Sequence, residues 1–95
     1  MKIRWSKRAI EDLTAIRRYI AADNPRAAQQ VARAIAVGAE NLSAHPQIGR
    51  PSHVPNVREL IVPGLPYLIA YRVREDTIEI IAILHGARDR TNVSL

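Results

Sequence analysis

The heptapeptide LHGARDR, residues 84–90, places His85, Arg88 and Arg90 directly behind IEIIAIL, a run apolar enough to form the middle of a sheet. An imidazole that titrates near neutrality can take a proton from a 2′-hydroxyl, while guanidiniums hold the adjoining phosphate and stabilise its transition state. Arg58 and Arg72 lie in the two preceding strand-like runs, and Arg50 lies in the loop before them. Ribonucleolytic cleavage can therefore be drawn with His85, Arg58 and Arg88 as the catalytic group. The same cations suit a second use that breaks no bond. Arg50, Arg58, Arg72, Arg88 and Arg90 together could grip an anionic protein or nucleic-acid surface, since the guanidinium fork matches carboxylate and phosphate alike.

Each of these residues also has a structural use. His85 and Gly86 could form a turn in which glycine admits positive φ and the imidazole bonds nearby backbone. Arg88 and Arg90 could be a solvated tail around Asp89, and Arg58 could pair with Glu59. Trp5 shares a strand face with Ile3 and reads as core rather than as a stacking platform. Cysteine is absent, which excludes disulfides, thiol nucleophiles and cysteine-ligated zinc and leaves His45, His53 and His85 as the imidazoles. No metal or other cofactor is expected.

Positioning these side chains requires a scaffold, and the hydrophobic pattern supplies one. KIRW alternates polar and apolar residues as a short strand does. Ser6 can cap a helix whose apolar positions Ile10, Leu13, Ile16 and Ile20 carry it from Lys7 to about Ala22. Asn24 and Pro25 then form a start signal for a second helix, from about Arg26 to Ser43, so the pair must fold back as an antiparallel hairpin. Gly38 could mark the point where the two helices cross. HPQIGRPSHVPN reads as a loop. VRELIV, YLIAYRV and TIEIIAIL follow as strands joined so tightly that they must be antiparallel neighbours. Simple alternation puts Ile78, Ile80, Ala82 and Leu84 on one face of the last strand. The expected fold class is α+β, one domain over 1–95, in the order β-α-α-β-β-β, with the helix pair on one face of a mostly antiparallel sheet.

The chain carries 14 Lys and Arg against 9 Asp and Glu, a formal charge of +5, and its excess lies mainly in residues 1–48. Such a balance favours an anionic partner. No apolar run approaches the length of about 18 residues that a membrane span needs, and the N-terminus lacks a signal-peptide stretch. The expectation is a soluble cytoplasmic protein with no membrane partner.

The segments WSKRAIEDLTAIRRYIAADNPRAA, LSAHPQIGRP, VRELIV, PYLIAYRV and ILHGARD, in this order and spacing, resemble the RelE/ParE superfamily of bacterial toxins, most closely its ParE-like members. The resemblance implies the toxin of a type II toxin–antitoxin system, held in a hetero-oligomer by a cognate ParD-like antitoxin with an acidic C-terminal segment. ParE-like members are associated with poisoning DNA gyrase, and RelE-like members with cutting messenger RNA on the ribosome. Arg58 matches the arginine of the corresponding RelE strand. The clustered middle-strand lysines and the C-terminal tyrosine or histidine pair of RelE-like nucleases have no counterpart here, since Lys2 and Lys7 are the lysines and no tyrosine follows Tyr71. The reading favoured is gyrase inhibition, with ribosome-dependent endoribonuclease as the alternative.

Overall fold

The computed structural model describes residues 1–89 and residue 95. Strand β1 (Lys2–Trp5) leads into helix α1 (Lys7–Ala21), where the Ser6 hydroxyl accepts the Ala9 N–H at 3.0 Å and so caps the first turn. Asn24 does the same for helix α2 (Pro25–Asn41), accepting the Ala27 N–H at 3.1 Å, and Pro25 stands where no amide hydrogen is needed. Four strands follow: β2 (Arg50–Pro51), β3 (Arg58–Ile61), β4 (Tyr67–Arg74) and β5 (Thr77–His85).

All five strands join one sheet in the order β1-β5-β4-β3-β2. The pairs β5-β4, β4-β3 and β3-β2 are antiparallel, while β1 runs parallel to β5 with Lys2 beside Thr77 and Trp5 beside Ile80. The α+β class and element order agree with the sequence reading, apart from the added strand β2 in what reads as a loop. Two residues with one proline carry too little alternation to signal a strand.

The helix pair covers one face. Ala9, Ile35, Ala39 and Leu42 meet Val62, Ile69, Tyr71, Ile78, Ile80 and Ile83 there, with Trp5 and Ile3 at the margin. On the other face Leu68, Ala70, Ala82 and Leu84 form a smaller cluster with Val57, covered in part by Val54 and Leu95. Ile78 and Ile80 therefore face the helices while Ala82 and Leu84 face away, contrary to simple alternation. The reason is a bulge: Tyr71 pairs with Ile80 but Ala70 pairs with Ala82, which leaves Ile81 as the extra residue and reverses the strand's sidedness beyond it.

Gly38 also differs from its expected role. A Cβ at this position would lie 3.2 Å from Ile69 Cδ1, so the small residue lets α2 approach the sheet, not α1.

Candidate functional site

The cations singled out in the sequence divide between two ends of the sheet. At one end Arg58 and Arg72, with Arg74, rim a hollow of about 660 Å3 completed by Gln47, Ser52 and Asn56. Arg50 sits beside it on β2, 3.6 Å from the Glu59 carboxylate. At the other end His85 closes β5, opposite Tyr67. Arg58 pairs with Tyr71, four residues further along β4 and on the other side of that strand. Those steps amount to about 13 Å along the sheet and about 10 Å across it. His85 and Arg58 thus do not converge on one phosphate. Arg90 lies outside the described residues.

The segment after β5 is a self-closed turn. The His85 N–H donates to Asp89 Oδ2 at 3.0 Å, and the Asp89 N–H donates back to the His85 carbonyl at 2.8 Å. His85 Nδ1 accepts the Arg88 N–H at 3.3 Å, which assigns the ring proton of the neutral imidazole to Nε2. The ring meets Tyr67 edge to face with centroids 5.8 Å apart. Arg88 pairs with Asp89 at 3.3 Å. The hydrogen bond from the His85 N–H holds the Asp89 carboxyl below its ordinary range; burial opposes it, and the Arg88 hydrogen bond and charge add to the lowering. Gly86 does not adopt positive φ, as Gly64 does, and a Cβ there would meet the Pro66 carbonyl at an ordinary 3.5 Å. Neither backbone conformation nor space requires a glycine at 86.

The hollow has a more rigid frame. Register places Arg4, Glu79 and Arg72 side by side across β1, β5 and β4. Glu79 accepts from Arg72 Nε at 2.6 Å and from Arg4, and Arg74 approaches it at 3.8 Å. The Arg72 hydrogen bond, followed by that of Arg4, holds the Glu79 carboxyl below its usual range. One carboxylate orients three guanidiniums, and the group keeps a net positive charge. On the loop side, the Gly49 peptide is clamped. Its N–H donates to Tyr71 Oη at 2.9 Å, and its carbonyl accepts from Arg58 at 2.7 Å. Tyr71 Oη donates onward to the Pro46 carbonyl at 2.9 Å. Burial raises the Tyr71 hydroxyl above its ordinary value, with the Gly49 hydrogen bond and the Arg58 charge opposing. Arg58 and Glu59 do not pair with each other, because adjacent strand residues point to opposite faces.

The arrangement is a basic, hydrogen-bonding surface held by strands, suited to an anionic partner. Comparison with known sequences and structures then identifies the family. Residues 3–90 match the family of ParE toxins of the type II toxin–antitoxin system parDE. The chain belongs to the ParE toxin family.

Its relatives carry both names of the superfamily. Toxin RelE2 of Caulobacter vibrioides is 42% identical over 84 residues, covering 88% of this chain and 93% of its own. Y4kP of Sinorhizobium fredii is 38% identical over 85 residues, covering 90% and 88%. A chain from the chromosomal ParDE toxin–antitoxin system of P. aeruginosa superposes with a TM-score of 0.82 at 31% identity, covering 90% of this chain and 95% of that one. This ParE-family chain is thus a type II toxin of the ParE/RelE superfamily. Among the described residues no helix is long and apolar enough to cross a membrane.

Sequence reasoning missed Arg4, Arg74 and Glu79 as parts of the basic surface. Alternation alone puts Arg72 and Arg74 on one face. The convergence of Arg4 on Glu79 depends on a parallel pairing between residues 75 apart in sequence, for which no local signal exists.

Proposed function

We propose that this ParE-family toxin arrests DNA gyrase by binding to it and does no bond-breaking of its own. A cognate ParD-like antitoxin with an acidic C-terminal segment neutralises it in the cytoplasm. Arg50, Arg58 and Arg72 around the hollow and Arg88 at the far end of the sheet, together with Arg90, which lies outside the described residues, make the contacts to target and antitoxin. The observation that carries the binding reading over the nuclease reading is the separation of His85 from Arg58. A general base and the cation holding its phosphate must act within a few ångströms of the same reacting atoms. The origin of the solved neighbour in a ParDE system supports an antitoxin partner for this chain.

Purified toxin incubated with gyrase and supercoiled plasmid is expected to yield a cleaved complex or a loss of supercoiling activity. The names of relatives such as RelE2 favour the alternative, a ribosome-dependent messenger-RNA endoribonuclease using His85, Arg58 and Arg88. His85→Ala separates the two. Full toxicity in that variant agrees with gyrase binding, whereas a loss of several orders of magnitude would point to catalysis.

A further inference from the structure

Apart from Arg8, which pairs with Asp12 on α1, the described arginines fall into two groups. Those on or near the sheet are engaged within the molecule: Arg4, Arg72 and Arg74 by Glu79, Arg50 by Glu59, Arg88 by Asp89, and Arg58 by the Gly49 carbonyl. Those on the helical hairpin beyond its first turns are not. Arg17, Arg18, Arg26 and Arg33 are all exposed, and among the described residues none has a carboxylate partner. Residues 14–33 contain these four arginines and one acid, Asp23, so this stretch carries +3 of the formal +5.

The free guanidiniums border a built depression. A cleft of about 600 Å3 opens between the end of α1 and the start of α2, with Arg17 and Arg18 on one wall and Arg26 and Gln29 on the other. Its floor includes Ala21, Pro25 and Ala28, small residues that let a chain backbone approach closely. Among the described residues no acidic side chain lines it. Arg33 follows Arg26 by two helical turns, so it continues the row about 10 Å along the same side of α2.

We propose that the hairpin tip binds the phosphodiester backbone of duplex DNA without reading its sequence. The site is the cleft of Arg17, Arg18 and Arg26 together with its extension at Arg33. A row of exposed arginines along the helical hairpin, without a carboxylate partner among the described residues, is the electrostatic footprint of a polyanion. A duplex presents charge continuously, so it can engage all four guanidiniums in any register. An acidic peptide would have to match their spacing. Gln29 adds an amide donor for a phosphate oxygen. The surface lies on the helices, away from the sheet hollow, and the inference does not depend on gyrase being the target.

The test is fluorescence anisotropy of a short mixed-sequence duplex titrated with full-length toxin from about 50 to about 200 mM salt. Each phosphate neutralised contributes about 0.9 to the slope of log affinity against log salt, so four contacts predict a slope of about −3.6. The doubles Arg17→Gln/Arg18→Gln and Arg26→Gln/Arg33→Gln should each flatten it by about 1.8. Lys2→Gln/Lys7→Gln, which removes the same charge elsewhere, should change it far less. Because all of these side chains are exposed, circular-dichroism melts should stay close to wild type. The proposal is overturned by absence of duplex binding at the lowest salt, or by equal losses from the lysine pair and the arginine pairs. Arginine-dependent capture of an Asp/Glu-rich peptide with no capture of duplex would overturn it too. The assay contains no gyrase, so duplex binding without gyrase arrest would leave this inference standing and remove the previous one. Arrest without duplex binding would do the reverse.

Discussion

The Gly49 peptide shows how single side chains set the geometry of the hollow. Tyr71, fully buried, is tied to it and to Pro46, and Arg58 is aimed by its carbonyl. Tyr71→Phe leaves the Gly49 N–H and the Pro46 carbonyl without that partner and should cost about 1–3 kcal/mol in urea unfolding. Gly49→Ala should cost a similar amount, about 1–3 kcal/mol. Its Cβ would lie 2.5 Å from Tyr71 Oη and 3.0 Å from the Glu59 carbonyl, so the clamp itself would have to move. Glu79 sets a pH dependence. Its folded pKa lies below its ordinary 4.5, so its stabilisation is present above that value and lost as the pH falls through the folded one. Melting temperature should therefore drop on acidification below about pH 4.5, and Glu79→Gln should weaken that dependence while lowering stability at neutral pH.

At the scale of elements, local chemistry was legible and register was not. Ser6, Asn24 and Pro25 marked the helix starts, and the observed spans Lys7–Ala21 and Pro25–Asn41 end within two residues of those read from the pattern. The strands at 2–5, 67–74 and 77–85 were equally plain, because alternation and turn residues bound them. The Ile81 bulge was not legible, since five aliphatic residues follow Glu79 without a polar one to betray the change of face. Beyond the bulge, β5 extends past its partner β1. Side chains of α1 and its cap satisfy that edge: Ser6 Oγ donates to the Ile81 carbonyl at 2.8 Å, and the Ile83 N–H donates to Asp12 at 3.0 Å. Asp12→Ala should cost about 1–3 kcal/mol and speed hydrogen exchange at Ile83. Glu75, with φ of 57° in the two-residue turn between β4 and β5, occupies a conformation that glycine tolerates better. Glu75→Gly should raise stability by up to about 1 kcal/mol in chemical denaturation.

Over the whole molecule, composition carries the balance of charge, and strand order decides where the charged side chains stand. Counting cations located the excess in the N-terminal half, where Arg17, Arg18, Arg26 and Arg33 have no carboxylate partner among the described residues. Attention to the conspicuous LHGARDR segment instead favoured a turn whose Arg88 is met by its own Asp89. The five-stranded sheet holds His85 and Arg58 at separate places, an arrangement that suits contact over a broad partner surface. Sequence composition could not supply that distance, because it arises from the order of strands. The most direct test of the central claim pairs wild type with His85→Ala in a gyrase supercoiling assay run beside translation of a reporter message. Arrest of gyrase by both proteins, with the message intact, is the predicted result. Codon-specific cuts that vanish with the imidazole, while gyrase works unhindered, would contradict it.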